Sequence, residues 1–374
     1  MIGDRALNRA LQARQGLLER IDAPLPDALE RIGAVQAQSW PAVAVALWSR
    51  VAGFTPDALY AALEDGSVLT GLVHRGTVHL MSAREQPMYA GVLEVAGGAD
   101  PWRTTAQRGK DADGLRPAVR DAAKGKVLTA KEIAEIAEDW VASHPGAIPE
   151  EELEAQRKVG WRTLLRGGDF IRVPASGTWG SKAPDAVTAP PKPRAKDPLE
   201  AAVVAHLRAF GLAGADDAAA WLGCKVGPVR EAIERRSGDL VELQGEGRRA
   251  LYDVKEGPRP EPDTEAPVRF LAAFDSVILA YAPKRRSRLI PEGRFEVIYN
   301  RANLQIRPTF LVDGLVAGIW SAQVKGRKAT IEISPFARLP RGAKGALTEE
   351  AEALLAGVYP AAKTRAVEFG KLSG

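Results

Sequence analysis

Two glutamines one residue apart, in Val35-Gln36-Ala37-Gln38-Ser39-Trp40, are the residues of this sequence best suited to chemistry without a cofactor. A carboxamide accepts through its carbonyl and donates through its NH2, so a pair of them can hold a water molecule from two sides. The segment follows an apolar-striped helix and runs into Trp40-Pro41, and a residue before proline is held away from helical geometry. In an extended chain alternate residues share a face, which would project Gln36 and Gln38 together. By residue type alone, the same segment also reads as a polar helix end in solvent.

Other candidates are cationic or aromatic. His74 and His79 flank Arg75-Gly76, where they could touch DNA or simply pack beside a turn. From Lys284 to Arg301 stand Lys284, Arg285, Arg286, Arg288, Arg294 and Arg301 against Glu292 and Glu296. That local charge of +4 equals the net charge of all 374 residues. Such a run is either a solvated loop or a patch that meets phosphates.

The inventory excludes much else. Four histidines (His74, His79, His144, His206) and one cysteine, Cys224, give no zinc-finger spacing and too few ligands for an iron–sulfur cluster. No P-loop or GxGxxG fingerprint follows an expected strand, and there is no nucleophile elbow. The expectation is therefore no metal and no cofactor. The 47 acidic residues form no paired-carboxylate motif. A single cysteine permits no internal disulfide and suits a reducing compartment. The N-terminus lacks a basic region followed by an apolar stretch, and no apolar run nears the roughly 18 residues of a membrane span. A monomer in the cytoplasm, associated with the nucleoid, is expected.

These residues must be positioned by elements, and one local grammar recurs. Apolar spacing predicts a helix over 7–20, a second opened by Pro26, and a third capped by Thr55 with Pro56 in its first turn. Strands at 68–73 and 78–81 then flank Arg75-Gly76 as a tight hairpin. The second segment repeats the order with a capping box at Thr129 and Glu132 and a helix over 161–166. A hairpin of 170–173 with Thr178-Trp179 completes it. The third has helices over 199–210, 216–222 and 226–236, then strands at 240–243 and 250–252. Helices followed by a β-hairpin are the winged-helix order, a helix-turn-helix variant. Proline-rich stretches at 184–198 and 258–267 read as linkers. Beyond them, strands are expected at 277–281, 295–299, 309–312, 315–320 and 329–333, with a turn at Asp313-Gly314 and a helix over 348–357. The fold class is α+β: tandem winged helices with a C-terminal antiparallel β-barrel or sheet. The expected divisions are 1–106, 107–195, 196–264 and 265–374.

Several motifs come in a set order: Leu7-Asn8-Arg9-Ala10-Leu11-x-Ala13-Arg14-Gln15, Val35-Gln36-Ala37-Gln38 and His74-Arg75-Gly76-Thr77-Val78-His79-Leu80. Ile171-Arg172-Val173-Pro174, Gly177-Thr178-Trp179-Gly180, Ala273-Phe274-Asp275 and Phe310-Leu311-Val312-Asp313-Gly314 follow. This order resembles the AlkZ/YcaQ family of winged-helix DNA glycosylases over nearly the whole chain. The resemblance implies excision of bases alkylated at ring nitrogens, chiefly N7 of guanine, from double-stranded DNA. It implies Gln36 and Gln38 as the catalytic pair, in the AlkZ branch rather than the YcaQ branch, whose third position is Asp. That branch acts on bulky adducts and interstrand crosslinks left by natural-product alkylators. Trp40, His74 and Arg75, with Lys284, Arg285, Arg286 and Arg288, are then the expected DNA contacts. Two neutral amides fit this chemistry, because an N7-alkylated guanine is cationic and leaves without being protonated. What remains is to steady an oxocarbenium-like sugar and hold a water beside it. The alternative is a non-catalytic winged-helix DNA-binding protein or transcription regulator.

Overall fold

The computed structural model describes residues 2–95, 110–166, 168–300, 302 and 304–372. The expected division at residue 106, Gly167 and Arg301 of the basic run lie outside the described residues.

The N-terminal half is organised on one six-stranded antiparallel sheet. Its strands are β1 (Val35–Gln36), β2 (Val68–Val73), β3 (Thr77–Ser82), β4 (Leu128–Thr129), β5 (Ile171–Val173) and β6 (Ala186–Thr188), in the order β1-β3-β2-β5-β6-β4. The first two segments therefore share a sheet, joined where Gly71 pairs with Ile171. A Cβ on Gly71 would meet the Phe170 carbonyl at 2.9 Å, so the close approach of the two strands requires glycine there. The expected hairpin between 170–173 and Thr178-Trp179 does not form. Strand β5 pairs with β6 instead, which makes part of the first proline-rich stretch a strand rather than a linker. Trp179 leaves the sheet to stack on Trp40 with ring centroids 5.9 Å apart.

Local signals placed many helices correctly. Thr55 caps Pro56–Glu64 by accepting from Ala58, and the Thr129–Glu132 capping box opens Ala130–Ser143. The first helix is shorter than expected, Asp4–Arg14, because Gly16 turns left-handed (φ 66°) and packs under the Arg50 carbonyl. Around residue 161 only a 3₁₀ turn forms, Arg162–Leu165, since Trp161 itself is left-handed and buried, its indole donating to Glu138. In the third segment, helices Pro198–Phe210, Ala215–Leu222 and Val226–Arg235 precede the antiparallel pair β7 (Leu240–Gln244) and β8 (Ala250–Val254). This is the order read from the sequence.

The C-terminal region departs further from expectation. Residues 277–281 and 295–298 are not strands: short helices run Ser276–Leu279 and Phe295–Ile298, and only Tyr299 of the second expected strand lies in one. Asp275 decides the first by accepting from the Val277 amide as an N-cap. Strand β9 (Arg269–Leu271) leads the region, and a small pair, β10 (Tyr299–Asn300) with β11 (Gln305–Ile306), follows. Next come β12 (Thr309–Val312), β13 (Leu315–Lys325), β14 (Lys328–Pro335) and β15 (Thr364–Phe369). The main sheet has the order β15-β14-β13-β12-β9, with β15 parallel to β14. It is open among the described residues, so the barrel expectation is corrected to an open, mixed sheet, packed by helix Ala343–Val358. Asp313 and Gly314, both at positive φ, make the expected turn between β12 and β13.

Packing ties the ends of the chain together. One apolar core joins Leu29, Val43 and Leu80 to Phe270, Trp320 and Leu354. A second joins Leu11 and Met81 to Phe210, Trp221, Val277 and Leu311. Helix Asp4–Arg14 is held by polar contacts to distant segments: Asn8 donates to the Arg288 carbonyl, Gln12 to Gly314, and Arg14 pairs with Asp253 at 2.8 Å. The second proline-rich stretch is fastened too, its Pro262 and Thr264 carbonyls accepting from Arg5 and Arg9.

Candidate active site

Gln36 is presented by a strand that runs between two helices. Helix Leu25–Ile32 stops at Gly33 (φ 79°), and β1 then pairs with β3 in the register Val35↔Leu80 and Gln36↔His79. The Ala37 amide donates to the Val78 carbonyl at 2.7 Å, after which the chain bends at Gln38 and enters helix Trp40–Trp48. Extended geometry thus reaches Gln36 and Ala37 but not Gln38, so strand alternation alone does not set the two amides side by side. Gln36 is 8% exposed and Gln38 is exposed. Neither carboxamide has a hydrogen-bonding partner among the described residues, and the polar atoms of Gln36 still reach solvent. An amide that reaches solvent through a narrow opening and has no protein partner there is free to meet a ligand or a water.

Beneath Gln36 lies a cavity of about 10 Å³, lined by Gln15, Gln36, Arg50, Phe274, Asp275 and Ser276 among others. Arg50 and Asp275 form an ion pair at 2.7 Å, each all but buried. The Arg50 guanidinium also donates to the Ala46 carbonyl and to Gln15, whose own amide donates to the Ile32 and Ala209 carbonyls. This network fixes the floor of the site to three distant segments. Sequence reasoning missed Arg50 and the roles of Gln15 and Asp275. The motif ending in Gln15 and the Ala273-Phe274-Asp275 motif pointed there, and neither carried chemistry on its own.

The other expected contacts fall elsewhere. Trp40 is 7% exposed, its indole donates to the Gly180 carbonyl at 2.9 Å and its ring stacks on Trp179; in this arrangement it braces the start of its helix and is closed to a nucleic-acid base. His74 is fully buried, stacked on His79 at 4.1 Å and packed against Trp221 and Tyr89. Arg75, at positive φ, lies over the Trp221 ring at 4.1 Å and donates to the Trp221 carbonyl at 2.8 Å. These residues dock the β2–β3 hairpin on helix Ala215–Leu222; the His74 imidazole, expected as a DNA contact, is turned inward, while Arg75 is half-buried. Burial holds His79 down at about 3 and His206 at about 4, and pushes His74 well below the usual imidazole range.

The basic run is neither a free loop nor a uniform patch. It forms a 3₁₀ turn, Pro283–Arg288, in which Lys284 is exposed, 3.6 Å from Asp216. Arg288 lies over the Tyr281 ring at 3.9 Å, and Arg286 donates to the Tyr281 carbonyl. The Nε of Arg285, and Nε and Nη2 of Arg288, have no acceptor among the described residues. No group of three His, Cys, Asp or Glu side chains that could hold a metal occurs among the described residues, and no helix there is long and apolar enough to cross a membrane.

With this fold and site in view, the comparisons agree on a class. The family model of AlkZ-like DNA glycosylases matches residues 29–356, and the chain belongs to that family. An interstrand DNA cross-link repair glycosylase of Streptomyces sahachiroi is 27% identical over 331 residues, covering 82% of this chain and 84% of the relative. The solved structure of Streptomyces sahachiroi DNA glycosylase AlkZ superposes with a TM-score of 0.79 at 21% identity, over 99% of this chain and 100% of that one, a likeness of fold.

Proposed function

We propose that the protein is a monofunctional DNA glycosylase that hydrolyses the N-glycosidic bond of N7-alkylated, cationic purines in double-stranded DNA, with Gln36 and Gln38 as its catalytic pair. The observation that carries this reading is Gln36: a residue 8% exposed, its carboxamide without a partner among the described residues, two positions before the exposed Gln38. Together the two amides can hold a water against the anomeric carbon as the purine departs. Their neutrality matters. No carboxylate stands in the Gln36-Ala37-Gln38 segment to act as a strong base, which suits a leaving group that already carries positive charge.

The winged-helix arrangement, and the four-part division into 1–106, 107–195, 196–264 and 265–374, belong to this reading as DNA-recognition units sharing cores rather than as independent folding units. The basic run at Lys284, Arg285, Arg286 and Arg288 is assigned to the phosphate backbone, Lys284 being the best placed by exposure. Bulky adducts and interstrand crosslinks fall within the same chemistry, and the likeness to the Streptomyces cross-link repair glycosylase supports that scope.

The test compares leaving groups. In the presence of EDTA, duplex DNA carrying 7-methylguanine should lose free base and retain an abasic site, while hypoxanthine in the same duplex should stay attached. Equal release of the uncharged base would overturn the restriction to cationic purines.

A further inference from the structure

We infer that Asp275 is a positioning residue for Gln36, acting through one water molecule held in the cavity that both residues line. The inference rests on the glycosylase reading above and adds the means by which the site is oriented.

The geometry is specific. Asp275 is 3% exposed, and both of its recorded hydrogen bonds fall on one oxygen: Oδ1 accepts from Arg50 at 2.7 Å and from the Val277 amide at 3.0 Å. Its second oxygen, Oδ2, is buried and has no partner. Asp275 and Gln36 line the same cavity of about 10 Å³, and a single water needs about 10–15 Å³ of such space together with two to four polar partners. The cavity offers the carboxylate of Asp275, the Gln36 amide and the polar groups of Gln15, Arg50 and Ser276.

A carboxylate oxygen only accepts, so a water on Asp275 Oδ2 gives it one hydrogen and keeps a second hydrogen and its lone pairs for the Gln36 amide. Through that water Gln36 is tied to a fixed anchor and held toward the substrate. The Arg50 ion pair and the N-cap to Val277 hold Oδ1, so Asp275 cannot swing to exchange its two oxygens. Phe274, left-handed at φ 58°, brings the chain into this position.

The experiment follows single-turnover release of 7-methylguanine by wild type, Gln36→Ala, Asp275→Asn, Gln36→Glu and the Asp275→Asn/Gln36→Glu pair. Asp275→Asn keeps an oxygen for Arg50 and Val277 but places an NH2 where Oδ2 stood. It should slow release at least tenfold with the Kd for lesion-containing duplex unchanged. Gln36→Glu faces two carboxylates across one water and should be slow; adding Asp275→Asn should recover about tenfold of that loss. A purely structural Asp275 would make the double variant slower than either single one. Should Asp275→Asn fail to fold, Ala272→Val fills the cavity from another wall and should slow release likewise. Full-rate release by Asp275→Asn or by Ala272→Val, or multiplicative losses in the double variant, would overturn the inference. If Gln36→Ala is inactive while Asp275→Asn runs at full rate, only the role of Asp275 falls. A wild type that releases no base would instead remove the glycosylase reading beneath it.

Discussion

At the scale of single residues, the site depends on groups that are left unsatisfied. Most buried polar atoms in a folded protein find partners, so the bare Oδ2 of Asp275 contrasts with the closely bonded Arg50 and Gln15 beside it. Gln36→Ala or Gln38→Ala should each cut base release by roughly 10²-fold, the scale of losing a positioned catalytic group. Binding to undamaged duplex should hardly change, which a fluorescence titration beside the excision assay would check. Full rates in both variants would mean the site lies elsewhere.

At the scale of elements, what could be read in the sequence was what is decided locally. The Thr129–Glu132 capping box, the Thr55-Pro56 helix start and the Asp313-Gly314 turn each depend on residues within four positions, and each forms. The helix Ser276–Leu279 was hidden because Val277 and Ile278 favour strands by type, while the deciding group is the Asp275 cap. The shared sheet was hidden because it depends on pairing Gly71 with Ile171, a hundred residues on. Gln36 and Gln38 were legible as a pair; the Arg50–Asp275 floor was not, since its members meet only in three dimensions. The β2–β3 hairpin yields a prediction of its own. Its histidines and His206 are held neutral by burial, so their imidazole resonances should not titrate between pH 8 and 5.5. The sign for stability follows. The unfolded chain takes up protons first as pH falls below the ordinary imidazole value of about 6.5, so these three groups withdraw stability as the pH drops toward 4. A histidine signal from this cluster titrating near pH 6.5 would show that the docking on Trp221 is open in solution. The 3₁₀ turn Pro283–Arg288 gives another. Lys284→Gln with Arg285→Gln should weaken binding to any duplex and flatten its salt dependence, by about 0.9 in the slope of log K against log salt per lost phosphate contact. An unchanged slope would place the turn away from DNA.

At the scale of the whole molecule, the cores bind the first residues of the chain to the last strands, so the site floor is built from both halves at once. That architecture also bears on the nucleophile. Glycosylases that cleave the strand attack the sugar with an amine and form a Schiff base. No lysine occurs before Lys110, and none lines the cavity beneath Gln36. Borohydride added during turnover should therefore trap no covalent protein–DNA adduct. A trapped adduct would show an amine at work in place of water.

The measurement that bears most directly on the central claim is release of free 7-methylguanine from methylated duplex DNA, in EDTA, by the wild type beside the Gln36→Ala/Gln38→Ala double variant. The account predicts base release and an abasic site with the wild type, and a loss of roughly 10²-fold or more in the variant with duplex binding intact. Tight duplex binding without release from methylated or bulky-adduct DNA would contradict it, and would identify a DNA-binding protein that does no chemistry.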